Sequence, residues 1–304
     1  MKKRLIVLSA MVVTLAIAAG CSPKSAAQTG SEGDSRKIKV STSINPVDQI
    51  VKIVGKDKVE TSRVVPEGSE PHDFEPKIKD MSLLSEASLM FINGLEIEPW
   101  VEKAVTNSGN KNLKIVDLSE GVDLIPLDPA EAAEEEAPGE YDPHIWLSLD
   151  AILVMAQNVE KELSAISPED TDYFKENLEG FRVEVEALKA EYAEKFKPYA
   201  GQAFVTGHAA FGYMTREIGL VQKAVEGPFQ EGEPTPRKLE DLIDFVRSEG
   251  ITTIFLEDQS SPKVSETLAR ETGSVTVVIN PLESSGELLS TIRETYDKIL
   301  ESFK

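Results

Sequence analysis

From Lys37 onward the apolar positions switch repeatedly between two spacings. The stretch "IKVSTS" has the length and β-branched content of a strand. "PVDQIVKIVG" follows with apolar residues at helical spacing and Gly55 as a stop. The pairing then recurs. Strands are predicted at "VETSRVV", "LMFIN" and "LKIVDL", and helices at "IKDMSLLSEA", "EPWVEKAVTNS" and "AILVMAQNVEKELSAI". A second run has strands at "QAFVTG", "LVQKAVEG", "ITTIFLE" and "VTVVIN". Its helices fall at "AFGYMTREIG", "TPRKLEDLIDFVRSEG", "PKVSETLARETG" and "GELLSTIRETYDKILESF". Strands alternating with helices imply a parallel sheet covered on both faces.

Between the two runs lies one much longer helical pattern. Ser167 suits the cap, Pro168 the first helical position, and Glu169 and Asp170 the positive end of the helix dipole. Apolar residues then recur at Phe174, Leu178, Phe181, Val185, Leu188, Tyr192 and Phe196, in steps of three or four, until Pro198. About thirty residues at ~1.5 Å each make a rod of roughly 45 Å. The expected fold is therefore α/β. An N-terminal lobe (37–166) and a C-terminal lobe (199–304), each with a parallel sheet flanked by helices, are joined by one long rigid connector helix (167–198). A cleft between the lobes follows from that arrangement. A long helix packed within a single domain is the alternative.

The first twenty residues stand outside this pattern. Lys2, Lys3 and Arg4 precede an apolar run from Leu5 to Ala19 that is short for a membrane span. Residues 1–20 read as an export signal. The run ends in "IAAGC", and small residues before a cysteine resemble the lipobox of bacterial lipoproteins, in which the cysteine thiol carries the lipid. Cys21 is the only cysteine of the chain, so no intramolecular disulfide is available and the core must hold the fold. An ordinary signal peptide with a chance cysteine is the alternative. Residues 22–36 are small and polar; with Cys21 they read as a lipid-anchored flexible tether over 21–36.

Charge narrows the partners. The chain has 32 basic and 53 acidic residues. Without the three cations of the signal, 32 less 3 leaves 29 basic residues against the 53 acidic ones, a net charge of −24. Such a surface disfavours nucleic acid and anionic lipid and is compatible with attracting cations.

The chain has only three histidines: His72, His144 and His208. His72 stands in "EGSEPHDFEP", beyond the strand "VETSRVV". His208 follows "QAFVTG", and His144 sits in the proline-fixed loop "YDPHIWL". Ligands of open parallel sheets bind beyond the carboxyl ends of strands. All three residues are thus expected in loops at element ends, where converging imidazoles suit zinc, copper, iron or nickel. Zinc calls for a fourth ligand. Asn280, Glu283 and Glu257 stand in equivalent positions. Glu70, Asp73 and Glu75 around His72, and Asp142 before His144, can lower the potential toward a cation or fix a ring's tautomer by accepting its other N–H.

The motifs "SEPHDFEP", "NGLEIEPW", "DPHIWL", "GHAAFGY", "EGEPTPRKL" and "NPLES" together resemble the metal-binding receptors of ATP-binding-cassette importers for zinc and manganese. They are most similar to the zinc-binding lipoproteins of Gram-positive bacteria. The resemblance covers nearly the whole mature chain, in order. It implies two α/β lobes joined by one rigid helix, with the site between them. It implies His72, His144 and His208 as ligands, the third being the discriminating one because manganese receptors of the family carry glutamate there. Many relatives have an aspartate where this chain has Asn280, but "NPLE" resembles the subgroup that uses the glutamate, which implies Glu283 as the fourth ligand. The implied function is a monomeric, extracytoplasmic, lipid-anchored receptor. It would capture Zn²⁺ and hand it to a membrane permease with its ATPase, with no catalysis. Three nitrogens and one carboxylate suit Zn²⁺, whereas manganese prefers more oxygen and more ligands; copper fits the chemistry as well. The alternatives are a manganese-preferring receptor of the same family, a zinc hydrolase and an adhesin. The hydrolase lacks an HExxH motif or any pair of histidines close in sequence. The acidic segment "DPAEAAEEEAPGEYD" (128–142) reads as a solvated loop, or as a device concentrating Zn²⁺ near the cleft. Ligand deprotonation implies that metal affinity falls below the ordinary imidazole pKa, ~6.5.

Overall fold

The computed structural model describes residues 37–72, 74–134, 137–230, 235–257 and 263–304. In the N-terminal half, β1 (Ile38–Thr42), α1 (Asn45–Gly55), β2 (Val59–Arg63), α2 (Ile78–Ser85), β3 (Leu89–Ile92), α3 (Val101–Ser108) and β4 (Lys114–Asp117) alternate as the pattern predicts. The strands form a parallel sheet in the order β2-β1-β3-β4. Leu89, Met90 and Phe91 of β3 are all buried, as expected of a central parallel strand covered on both faces. Two further helices follow: α4 (Pro129–Glu134) and α5 (Leu149–Ile166). The long helix α6 (Thr171–Phe196) leads into β5 (Ala203–His208), α7 (Gly212–Ile218), β6 (Val221–Glu226), α8 (Pro236–Glu249), β7 (Thr253–Glu257), α9 (Lys263–Thr272), β8 (Val275–Ile279) and α10 (Leu288–Ser302). The second sheet is also parallel, in the order β6-β5-β7-β8.

Both sheets share one topology. The chain starts on an inner strand, steps to one edge, then crosses back to the other side. Each sheet therefore has a switch point beside its first strand, where a crevice opens beyond the carboxyl ends. The residues there are Ser43 to Asn45 in the first sheet, and His208 with Glu257 in the second.

Helix α6 has 26 residues, a length of ~39 Å. It is shorter than the sequence suggested because Pro168–Asp170 form a separate 3-10 turn. Ser167 does not cap the helix; its hydroxyl donates to Asp170 Oδ2 at 2.8 Å. The apolar stripe is as expected: Phe174, Phe181, Val185, Leu188, Tyr192 and Phe196 are buried, and Leu178 partly so. The helix does not bridge a gap, however. It packs along α1 and α5 of the first half and α7 and α10 of the second. One apolar core consequently runs from Val40 and Phe91 through α5 and α6 to Phe204, Phe255 and Tyr296. A smaller cluster, including Val205, Leu242, Ile254 and Leu268, fills the far side of the second sheet under α8 and α9.

Two expectations need correction. His208 is not in a loop: it is the last residue of β5, paired with Glu226. The acidic segment is not wholly irregular. Pro129–Glu134 form a helix, and Pro126 and Tyr141 make an antiparallel bridge that draws the segment's two ends together. Residues 135 and 136 of that segment, like Asp73 and the proposed signal and tether, lie outside the described residues. Among the described residues, no helix is long and apolar enough to cross a membrane.

Candidate metal centre

His72, His144, His208 and Glu283 meet between the two sheets, each offering one ligand atom within 4.8 Å of the others. His144 and His208 are fully buried and Glu283 nearly so, while His72 is half-buried. Nε2 of His144 lies 3.3 Å from Nε2 of His208. Glu283 Oε1 lies 3.4 Å from the first and 3.5 Å from the second. Ligand atoms ~2.0–2.1 Å from a tetrahedral zinc are about 3.3–3.4 Å apart along each edge. Three atoms of the cluster already stand at that spacing. His72 Nε2 is buried without a hydrogen-bond partner, a state that buried polar groups seldom keep unless something else satisfies them.

Each of the four residues has its own support. His72 follows β2 in an irregular stretch before α2, and its backbone N–H donates to Glu70 Oε1 at 3.3 Å. Glu70 therefore braces the main chain and not the ring. Glu75 is exposed. The His72 ring meets Phe229 edge-on at 6.0 Å.

His144 is held more tightly. Asp142 Oδ1 accepts from its backbone N–H at 2.9 Å and lies 2.8 Å from Nδ1. A proton on Nδ1 directed at Asp142 leaves Nε2 free to coordinate. Asp142 in turn lies against Gly212, where a Cβ would come within 2.7 Å of its Oδ2. Tyr213 donates its hydroxyl proton to the Asp142 carbonyl at 2.8 Å. Asn93 Nδ2 donates to the Pro143 carbonyl at 2.9 Å, and Glu98 accepts from the backbone N–H groups of Asn93 and Gly94. Asn93 and Glu98 belong to the "NGLEIEPW" stretch, whose supporting role could not be inferred from spacing.

At His208 the carboxylate behind the ligand is Glu257. It accepts from the His208 backbone N–H at 3.3 Å, and its Oε1 lies 3.9 Å from Nδ1. A Cβ on Gly207 would fall 2.2 Å from Glu257 Oε2, so glycine there makes room for the carboxylate. Glu257 thus stands behind the ligand and not among the ligand atoms. Asn280 also lies outside the cluster: its Oδ1 accepts from Leu282 N at 2.6 Å and its Nδ2 donates to the Ser285 carbonyl.

The charges are arranged against burial. Burial disfavours an imidazolium at His144, but Asp142 and Glu283 outweigh it and raise the ring to about 9. The same contest, with Glu283 the main carboxylate, raises His208. For His72 burial prevails over the charge of Glu283 and holds the ring at about 3. Burial also penalises a charge on Glu283, yet hydrogen bonding from His144 and His208 keeps its carboxyl well below the usual range. Burial raises Glu257 to about 7. Burial, joined by the charge of Glu283, likewise raises Glu70.

Fold and cluster together define a class: a two-lobed α/β binding protein whose grouped His72, His144, His208 and Glu283 could hold a metal ion. The chain belongs to the family described as zinc-uptake complex component A, periplasmic (ZnuA), which matches residues 40–302. A putative metal-binding protein of Treponema pallidum is 34% identical over 265 residues, spanning 84% of this chain and 82% of the relative. The zinc-binding lipoprotein AdcA of Streptococcus pneumoniae is 30% identical over 270 residues, 87% of this chain. The match covers about half of that longer relative, 54%. Among solved structures, a crystal structure of ZnuA superposes with a TM-score of 0.79 at 30% identity, over 88% of this chain and 100% of that one.

Proposed function

We propose that the protein is an extracytoplasmic receptor that captures Zn²⁺ between its lobes and delivers it to an ATP-binding-cassette permease for import. His72, His144, His208 and Glu283 are its ligands in this reading. The observation that carries it is the spacing of the two Nε2 atoms and Glu283 Oε1, which are the edge lengths of a zinc tetrahedron. Four protein ligands leave no open position for an activated water, which argues for carriage over hydrolysis. A lipid on Cys21, the tether 21–36, the lobe boundaries at 166 and 199 and a monomeric state belong to the same proposal. Membership of the zinc-uptake family supports the partner class.

Competition titration of the purified protein with zinc and manganese tests the metal. The expected result is one zinc per chain, retained against a large excess of manganese, because three imidazoles favour zinc over manganese. Preferential retention of manganese would reverse the assignment.

The pH dependence should differ from that of free imidazole. His144 is raised to about 9, so it carries a proton at neutral pH when no metal is bound, and Zn²⁺ must displace that proton. Affinity should therefore climb with pH through neutrality, by at least about tenfold per unit because His208 is raised as well, and level off above pH ~9. The ~6.5 expected for an ordinary imidazole is moved upward by Asp142 and Glu283. Chelator competition at several pH values checks this; an affinity that is flat between pH 7 and 9 would rule it out.

A further inference from the structure

Glu283 belongs to the second half of the chain, yet the loop that carries it hangs from the first. The loop runs from Asn280 at the end of β8 to Glu287 before α10, and it turns at Leu282, whose φ of 69° lies in the left-handed region. A non-glycine residue there is strained and persists only where its surroundings impose it. Those surroundings come largely from α1. Asn45, the first residue of α1, donates from Nδ2 to the carbonyls of Leu282 and Gly286, each at 3.1 Å. Its backbone N–H donates to the carbonyl of Glu283 itself at 3.4 Å. One turn on, Gln49 donates to the Gly286 carbonyl and accepts from Leu288 N at 2.8 Å, capping α10 from the opposite lobe. Arg63, at the end of β2, donates to Asn45 Oδ1 at 2.6 Å and so fixes which way the amide faces. Asn45 is buried, 6% exposed.

We infer that Asn45 and Gln49 are positioning residues for the metal centre: by holding the loop 280–288 across the cleft they set Glu283 Oε1 at ligand distance from His144 and His208. The inference rests on the proposed zinc centre and adds a coupling that the ligand set alone does not contain. Glu283 can coordinate only while the contact between α1 and its loop is closed. Parting the lobes at α1 would withdraw the carboxylate, together with His208 of the same half, from His72 and His144. Asn280 braces the loop from within, but it has no reach across the cleft.

The test is a double-mutant cycle on the full chain, with Zn²⁺ release measured by chelator competition and the Co²⁺-loaded protein followed by its visible absorption. Loss of the Asn45 side-chain hydrogen bonds in Asn45→Ala should speed zinc release about tenfold. It should also weaken the Co²⁺ bands, because a carboxylate leaves the coordination sphere for part of the time. In a Glu283→Ala background, Asn45→Ala should add nothing further, since its target is gone. Gln49→Glu keeps the acceptor for Leu288 N but loses the donor to Gly286. It should shift release in the same direction by a smaller factor, and it serves if Asn45→Ala does not fold. An equal effect of Asn45→Ala with and without Glu283 would mean a general structural role and overturn the inference. So would unchanged release from both Asn45→Ala and Gln49→Glu while Glu283→Ala alone weakens zinc. If Glu283→Ala itself alters neither zinc affinity nor the Co²⁺ spectrum, the proposed fourth ligand fails, and the positioning role fails with it.

Discussion

His208→Ala is expected to lower zinc affinity by on the order of a thousandfold or more, with the fold retained. Loss of a residue that merely orients a ligand costs 10–100-fold, and His208 is itself in the cluster. Its ring is fully buried at the end of β5, and Nε2 is shared at tetrahedral spacing with His144 and Glu283. Alanine would leave three ligands and a void beside the carboxylates of Glu257 and Glu283. His144→Ala should behave alike. His72→Ala should also weaken binding strongly, because its Nε2 is buried in the same cluster. Competition titration against a chelator of known affinity measures all three, with circular dichroism as the check on folding. An affinity for His208→Ala within tenfold of the parent would remove that residue from the centre.

Adding zinc should raise the melting temperature by about 10 °C. A ligand that binds only the folded state at a thousand times its Kd stabilises by about 4.1 kcal/mol. Each kcal/mol shifts the midpoint by about 2–4 °C for a domain of this size range. The physical source is local: without metal the cluster confines three imidazoles beside a carboxylate, with His72 Nε2 unpartnered. The consequence is spread over the whole molecule. One core runs through α5 and α6 into both halves, so a single transition should move as a unit. Stripping the metal with a chelator should reverse the shift, and His208→Ala should abolish it. Coincident melting curves with and without zinc would mean that the cluster does not hold the ion.

Much of this could be read along the chain. Period switching gave both sheets and nearly every helix, since strand and helix impose different spacings on buried residues. The seven-position stripe of α6 is visible for the same reason. The histidines stood out by scarcity and by their places near strand ends, and motif similarity supplied Glu283 over Asn280. Other features were not legible. His208 closes a strand because β6 pairs with it there, and pairing is a property of two segments. That Glu257 and Asp142 stand behind ligands depends on Gly207 and Gly212 leaving room for them, contacts between residues far apart in sequence. Pro129–Glu134 form a helix within a stretch whose acidic composition signalled only solvation.

The sequence alone determined the α/β alternation, the two-sheet division, the long helix and a three-imidazole chemistry suited to zinc, because these follow from local spacing and from residue type. Tertiary structure alone decided that α6 lies against both halves instead of spanning open space. It also decided which carboxylate faces the rings and that Asn45 holds its loop from the other side. The physical reason is that side-chain direction and distance across a cleft arise only when separately folded segments pack, and no periodicity within either segment encodes them.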